Sequence, residues 1–276
     1  MMRPQPRPTP ESAAVRGYYA RLQRTMLERG LLRSDTAPDD APINARILAQ
    51  TFITIALYDE YAETHRAFVA RQTADHLYRW AAPVHMALTF GASIPEAERL
   101  TDTATVTTYA ARLSRLTHLP ITLAAEPANF HVLVLNEDER RAAAPLLRAL
   151  IPGIGADVIR TVTEMPLSTY CVAFAFPKPG TYTYGQALAV IRGEHPDLMR
   201  RACYHEELAQ ALGPANDSPH ARPSIFNDDQ EFALLTKQDE LILRMLYDPR
   251  LTPGMTPDQA RPIAQRLASK LLGGNG

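Results

Sequence analysis

Residues Cys203–Tyr247 read CYHEELAQALGPANDSPHARPSIFNDDQEFALLTKQDELILRMLY. Apolar residues recur at helical spacing up to Leu212, and Gly213 stops the helix. A long loop, Gly213–Glu231, precedes a second helix over Lys237–Tyr247. Polar residues hold fixed places around Gly213: Glu206, Glu207 and Gln210 before it, Asn216 after it. Glu206 and Gln210 are four apart and so share a helix face. At roughly 100° per residue, His205 falls instead with Leu198, Leu208 and Leu212. It reads as a partly buried helix histidine, and Ala209, four residues on, gives it no ligand partner.

This spacing resembles the metzincin zinc-protease motif, H-E-x-x-H-x-x-G-x-x-H followed by a Met-turn and a second helix. Counted from Gly213, the pattern here is E-E-x-x-Q-x-x-G-x-x-N. Glu206 and Gln210 stand at the first two ligand positions and Asn216 at the third. Phe226, in Ser224-Ile225-Phe226, takes the place of the Met. Glu207 stands at the general-base position and is the one candidate catalytic residue. Zinc affinity rests on imidazole or thiolate, so no zinc is expected at these carboxylates and amides. The resemblance implies a fold and a cleft made of Glu206, Gln210, Asn216, Asp217 and Phe226, without the chemistry that normally occupies it.

Longer segments point to a second family. ALYDEY (Ala56–Tyr61), RWAAPVHMALTFG (Arg79–Gly91), CYHEELAQALGPANDS (Cys203–Ser218), SIFNDDQEFALLT (Ser224–Thr236) and LYDPRLTPGM (Leu246–Met255) are similar to a bacterial family known as domain of unknown function 2927. The similarity runs from about Tyr18 to about Arg261. It implies an exported, often lipoprotein-like protein of the cell envelope with no established activity.

The rest of the chain predicts an α+β fold: a metzincin-like domain with a mixed sheet and an active-site-like helix, preceded by an N-terminal helical layer. Residues 1–11 alternate Pro with polar and basic residues and are expected to be disordered. Residues 12–78 form the helical segment, with helices over Ser12–Gly30, Asn44–Ala62 and Thr64–Tyr78. Residues 79–250 form the α+β domain. Its strands are Val84–Phe90, Ile121–Ala125, Phe130–Leu135, Ser168–Phe176 and Gln186–Ile191. Its helices are Ala104–Thr117, Glu137–Leu150 and Asp197–Leu212. Residues 251–276 are a closing helix and a frayed tail. Trp80 is the expected core anchor between the helical layer and the first strand.

Composition excludes several classes. A chain of 276 residues with 46% hydrophobic and 21% charged residues is an ordinary globular protein. A net charge of −1 gives no bulk attraction for nucleic acid. The longest mostly apolar run, Ile47–Tyr58, is too short for a span of roughly 20 residues, so no transmembrane segment is expected. Met1–Pro10 has neither an apolar core nor a lipobox cysteine. An envelope or periplasmic location would then require a leader upstream of Met1, and a cytoplasmic one would not. Cys171 and Cys203 fit either setting, as one disulfide between strand and helix or as two buried thiols.

Three functions remain for the polar cluster. One is a non-catalytic groove in which a peptide or partner protein pairs with a strand edge. Another is a metal-dependent hydrolase with an oxygen-rich site for calcium or magnesium at Glu206, Glu207, Gln210 and Asn216. The third is a metal-free acid–base pair of Glu206 and Glu207. Adjacent helical positions point about 100° apart, which argues against that pair.

Overall fold

The structure is a computed structural model that describes residues 8–64, 67–124, 127–227 and 229–273. Its elements, numbered in chain order, begin with α1 (Pro10–Glu28), α2 (Ala45–Ala56) and a hairpin of β1 (Tyr58–Thr64) and β2 (Ala67–Ala74). Next come β3 (Arg79–Trp80), β4 (Val84–Phe90), α3 (Glu96–Thr117), β5 (Ile121–Leu123) and β6 (Phe130–Leu135). Three short helices follow, α4 (Glu137–Arg141), α5 (Ala144–Leu150) and α6 (Ala156–Thr163). The chain closes with β7 (Cys171–Pro177), β8 (Thr183–Arg192), α7 (Asp197–Gln210), α8 (Lys237–Leu246) and α9 (Pro257–Leu271).

The architecture is mixed α/β, built on a largely parallel sheet. Strands β5, β4, β6 and β8 lie side by side in parallel, with Val84 opposite Ile121, Met86 opposite Phe130 and Val134 opposite Ile191. The short β3 runs parallel to the start of β8. Strand β7 pairs antiparallel with the other side of β8, Cys171 facing Ile191. Every residue of β6 is buried, as expected of a parallel strand covered on both faces. On one face Phe130, Val132, Val134, Ala187 and Ile191 join the main core. On the other, Leu133, Leu135, Leu188 and Val190 pack against Leu147, Ile159 and Val162 of α5 and α6.

The N-terminal and C-terminal helices belong to that main core. Leu48, Phe52 and Ile55 of α2 share it with Ala260, Ala264 and Leu267 of α9. Truncating Phe52, which is fully buried, would cost about 3–5 kcal/mol. The helix α1 instead packs Val15, Tyr19 and Met26 against Met199 and Ala202 of α7.

Several expectations change. The helix expected over Asn44–Ala62 ends at Ala56, and of the helix expected over Thr64–Tyr78 residues 65 and 66 lie outside the described residues while Ala67–Ala74 forms β2, paired antiparallel with β1. Their Tyr, Phe, Val and Thr residues favour pleated strands. The helix expected over Glu137–Leu150 is two helices, because Pro145 lacks an amide hydrogen and its ring opposes a continuous turn after Arg141. Helix α6 lies in a stretch given no element above, although Val158, Ile159 and Val162 have helical spacing and are all buried. Of the tail expected over residues 1–11, residues 1–7 lie outside the described residues, and α1 already begins at Pro10. Among the described residues no helix is long and apolar enough to cross a membrane.

Candidate functional site

Helix α7 is fixed at its C-terminal end by groups from distant parts of the chain. Its last carbonyls lack helical partners. The indole Nε1 of Trp80 donates to Ala211 O at 2.9 Å, and the Tyr247 hydroxyl donates to Leu212 O at 2.9 Å. Gly213 adopts φ +138°, and a Cβ there would stand 2.6 Å from Tyr78 O. The glycine therefore answers both a backbone and a packing demand. A disulfide between Cys171 and Cys203 ties α7 to β7.

His205 is a structural residue. Its ring stacks on Tyr109 with centroids 4.1 Å apart. Its Nδ1 accepts from Leu235 N at 2.9 Å, which places the ring proton on Nε2. Burial, then the cations of Arg112 and Arg201, push the imidazole down to about 3. It is neutral at physiological pH.

Glu206 and Glu207 come together with Cys171. Among the described residues these three present ligand-type atoms within 4.8 Å of one another. The two glutamate side chains thus converge, although adjacent helical positions diverge at the backbone. Glu207 is only 4% exposed, and its Oε2 has no hydrogen-bond partner. Burial first, and then the like charge of Asp217, push its carboxyl well above the usual carboxylate range. Burial therefore favours the protonated form of Glu207. Asp217 itself is held by Gln210, whose Nε2 donates to its Oδ1 at 3.0 Å.

The remaining two candidates sit elsewhere. Asn216 is fully buried. Its Nδ2 donates to Thr54 O at 2.9 Å and its backbone N–H to Ile55 O at 3.1 Å, so it fastens the loop to the end of α2. Phe226 lies in the main core. The polar cluster is thus Glu206, Glu207, Gln210 and Asp217.

A groove of about 390 Å³ opens beside this cluster. Ala173, Ala175 and Pro177 of β7 form one wall, Gln210 and Ala211 another, and Tyr78 and Tyr184 close it. None of these except Gln210 was singled out from the sequence. The available signal was the alternation of small Ala173 and Ala175 with large Val172, Phe174 and Phe176. The large set packs on the opposite face of the sheet. Among the described residues β7 pairs only with β8, so its second edge is free.

A second polar cluster lies where β6 and β8 end and α7 begins. Glu137 accepts from Arg140 Nη2 at 2.7 Å and from Arg192 Nη1 at 2.5 Å. Arg200 reaches Asp102 at 3.0 Å and Glu98 at 2.9 Å. Glu194 accepts from Ser12 Oγ and from Glu137 N, both at 2.6 Å. In open parallel sheets this edge commonly binds ligands. Here α1 covers it through Ser12, through Arg16 donating to Gly193 O, and through Tyr19 against His195.

A family model described as "Protein of unknown function (DUF2927)" matches residues 45–266, well over half of the chain. No curated protein and no solved structure matches it.

Proposed function

The chain belongs to the family described as a protein of unknown function, DUF2927, and from that premise we propose that it is a non-catalytic, metzincin-like protein of the cell envelope that binds an extended peptide. The peptide would add a strand to the free edge of β7. The observation that carries this reading is the unpaired edge of β7, a strand whose Ala173 and Ala175 line a groove opposite Gln210 and Ala211. Ala173 and Ala175 leave room for alternate peptide side chains. Glu206, Asp217 and Asp75 favour a basic residue in the bound segment.

The metzincin-like reading draws on element order. Strand β4, helix α3, strands β5 and β6, strands β7 and β8, and then α7, Gly213 and α8 come in that order, with the helices α4, α5 and α6 as additions between β6 and β7. The reading as a pseudo-protease draws on the site. Glu207 is buried, and its Oε2 has no hydrogen-bond partner through which a proton could be passed on. A location in the envelope agrees with the disulfide, since such bonds persist in oxidising compartments.

The test is a displayed library of random peptides selected on the full chain, with binders measured by fluorescence anisotropy. Ala175→Arg, which fills the groove, is expected to weaken binding at least about tenfold while shifting stability by less than about 0.5 kcal/mol. Amide exchange should slow in β7 when peptide is present. Binders that ignore Ala175→Arg and protect another surface would refute the proposal.

A further inference from the structure

We propose that Cys171, Glu206 and Glu207 form a binding site for a borderline divalent cation such as zinc, opened by reduction of the Cys171–Cys203 disulfide. The three ligand-type atoms already lie within 4.8 Å of one another. In a tetrahedral zinc site, bonds of about 2.0–2.3 Å place neighbouring ligand atoms roughly 3.3–3.8 Å apart. The residual closing of about 1 Å is within the rotamer freedom of two glutamates. An independent observation points the same way: Glu207 is 4% exposed and its Oε2 has no hydrogen-bond partner. A buried oxygen without a partner is costly, and a cation supplies one.

The disulfide is the gate. In the oxidised chain Cys171 offers no thiolate, and two carboxylates alone suit zinc poorly. A dithiol reductant transfers two electrons and two protons. The Cys171–Cys203 bond breaks, two thiols form, and the reductant becomes a disulfide. Metal binding then displaces the proton of the Cys171 thiol. Cys203 is not among the residues whose ligand atoms lie within 4.8 Å of one another. The His195 Nδ1 lies 3.7 Å from its sulfur. The site does not require a peptide in the groove.

The experiment titrates cobalt(II), a spectroscopic stand-in for zinc, into the full chain before and after reduction by a phosphine. The reduced chain should take up one cobalt per chain with a thiolate-to-metal absorption band. The oxidised chain should bind at least about 100-fold more weakly, beyond the 10–100-fold typical of losing a supporting partner. Two single variants remove the same disulfide yet differ in which sulfur they free. Cys203→Ser leaves Cys171 beside the glutamates and should bind cobalt without reductant. Cys171→Ser should not. Glu207→Gln should abolish the band in the reduced chain. Equal cobalt affinity in the two cysteine variants would overturn the proposal. So would a reduced wild-type chain that shows no band, or one that loses its near-ultraviolet circular dichroism.

Discussion

Helix α7 carries two polar clusters that solve the same problem in opposite ways. At its N-terminal end, buried acids meet buried guanidiniums from other elements: Glu137 faces Arg140 and Arg192, and Asp102 faces Arg200. At its C-terminal end, Glu206, Glu207 and Asp217 gather, and Glu207 answers burial by keeping its proton. The first arrangement holds α1, α4, β8 and α7 together. Each end also leaves a buried carboxylate oxygen without a partner, Glu194 Oε2 at the first and Glu207 Oε2 at the second, where the like charge of Asp217 adds to burial and a groove opens. Buried charge that is paired across elements is explained by the fold. A buried carboxyl set beside like charge is not, and perturbed groups of that kind concentrate at functional sites.

The largest expected effect is at the paired end. Glu137→Gln leaves Arg140 and Arg192, both almost fully buried, without their shared counter-ion. Removing one partner of a buried ion pair costs about 3–5 kcal/mol. Urea unfolding of the two proteins should show a loss of that size. A loss below about 1 kcal/mol would mean that backbone carbonyls such as Val162 O and Met165 O already satisfy the guanidiniums. The two ends of α7 would then differ less than their geometry suggests.

His205 sits between the clusters and gives the next effect. Its imidazole lies at about 3 in the folded chain and near 6.5 when unfolded. Because the folded value is the lower one, its contribution is complete above about 6.5 and is lost as pH falls toward 3. His205→Gln retains an acceptor for Leu235 N–H without a titrating ring. The stability difference between wild type and variant should shrink by about 1.4 kcal/mol per pH unit between pH 6.5 and 4. Using the difference cancels the opposing contributions of raised carboxyls such as Asp239, which burial pushes up to about 6. A flat difference curve would show that His205 is protonated in the folded protein.

How far the sequence reveals this division depends on how many elements build each part. Helix α7 and strand β6 follow from local periodicity, and both form as expected. The position of His205 on the apolar side follows from the helical wheel alone. The convergence of Glu206 and Glu207 does not, because χ angles and not backbone spacing bring their ends together. Asn216 was placed by motif spacing, yet the loop's path sets its contacts, and α2 captures its amide. Strands β1 and β2 are not legible in the sequence, because their apolar residues fit the helical and the strand period alike over so short a run. The charged cluster draws on α1, α3, α4, β8 and α7, so no window of sequence contains it. The groove was invisible for the same reason: its walls come from β7, β8, α7 and the segment before β3.

The smallest expected effect is at the unpaired end, and it carries the opposite sign. Glu207 is raised above its unfolded value, so its contribution is complete below about 4.3 and declines as pH rises toward its folded value. Glu207→Gln keeps the shape of the protonated acid without the titration. Between pH 5 and 8 the variant should gain on the wild type by at most about 1.4 kcal/mol per pH unit. It should equal the wild type near pH 4. Thermal unfolding across that range measures both limbs. An acid-end substitution that destabilises and a groove-end substitution that stabilises would separate the two clusters by sign, independently of any ligand. If Glu207→Gln destabilises at every pH, then the carboxylate is ionised and has a cationic partner, and the groove end is built like the other. If the gain appears only after the disulfide is reduced, the like charge acting on Glu207 comes from Cys171 rather than from Asp217.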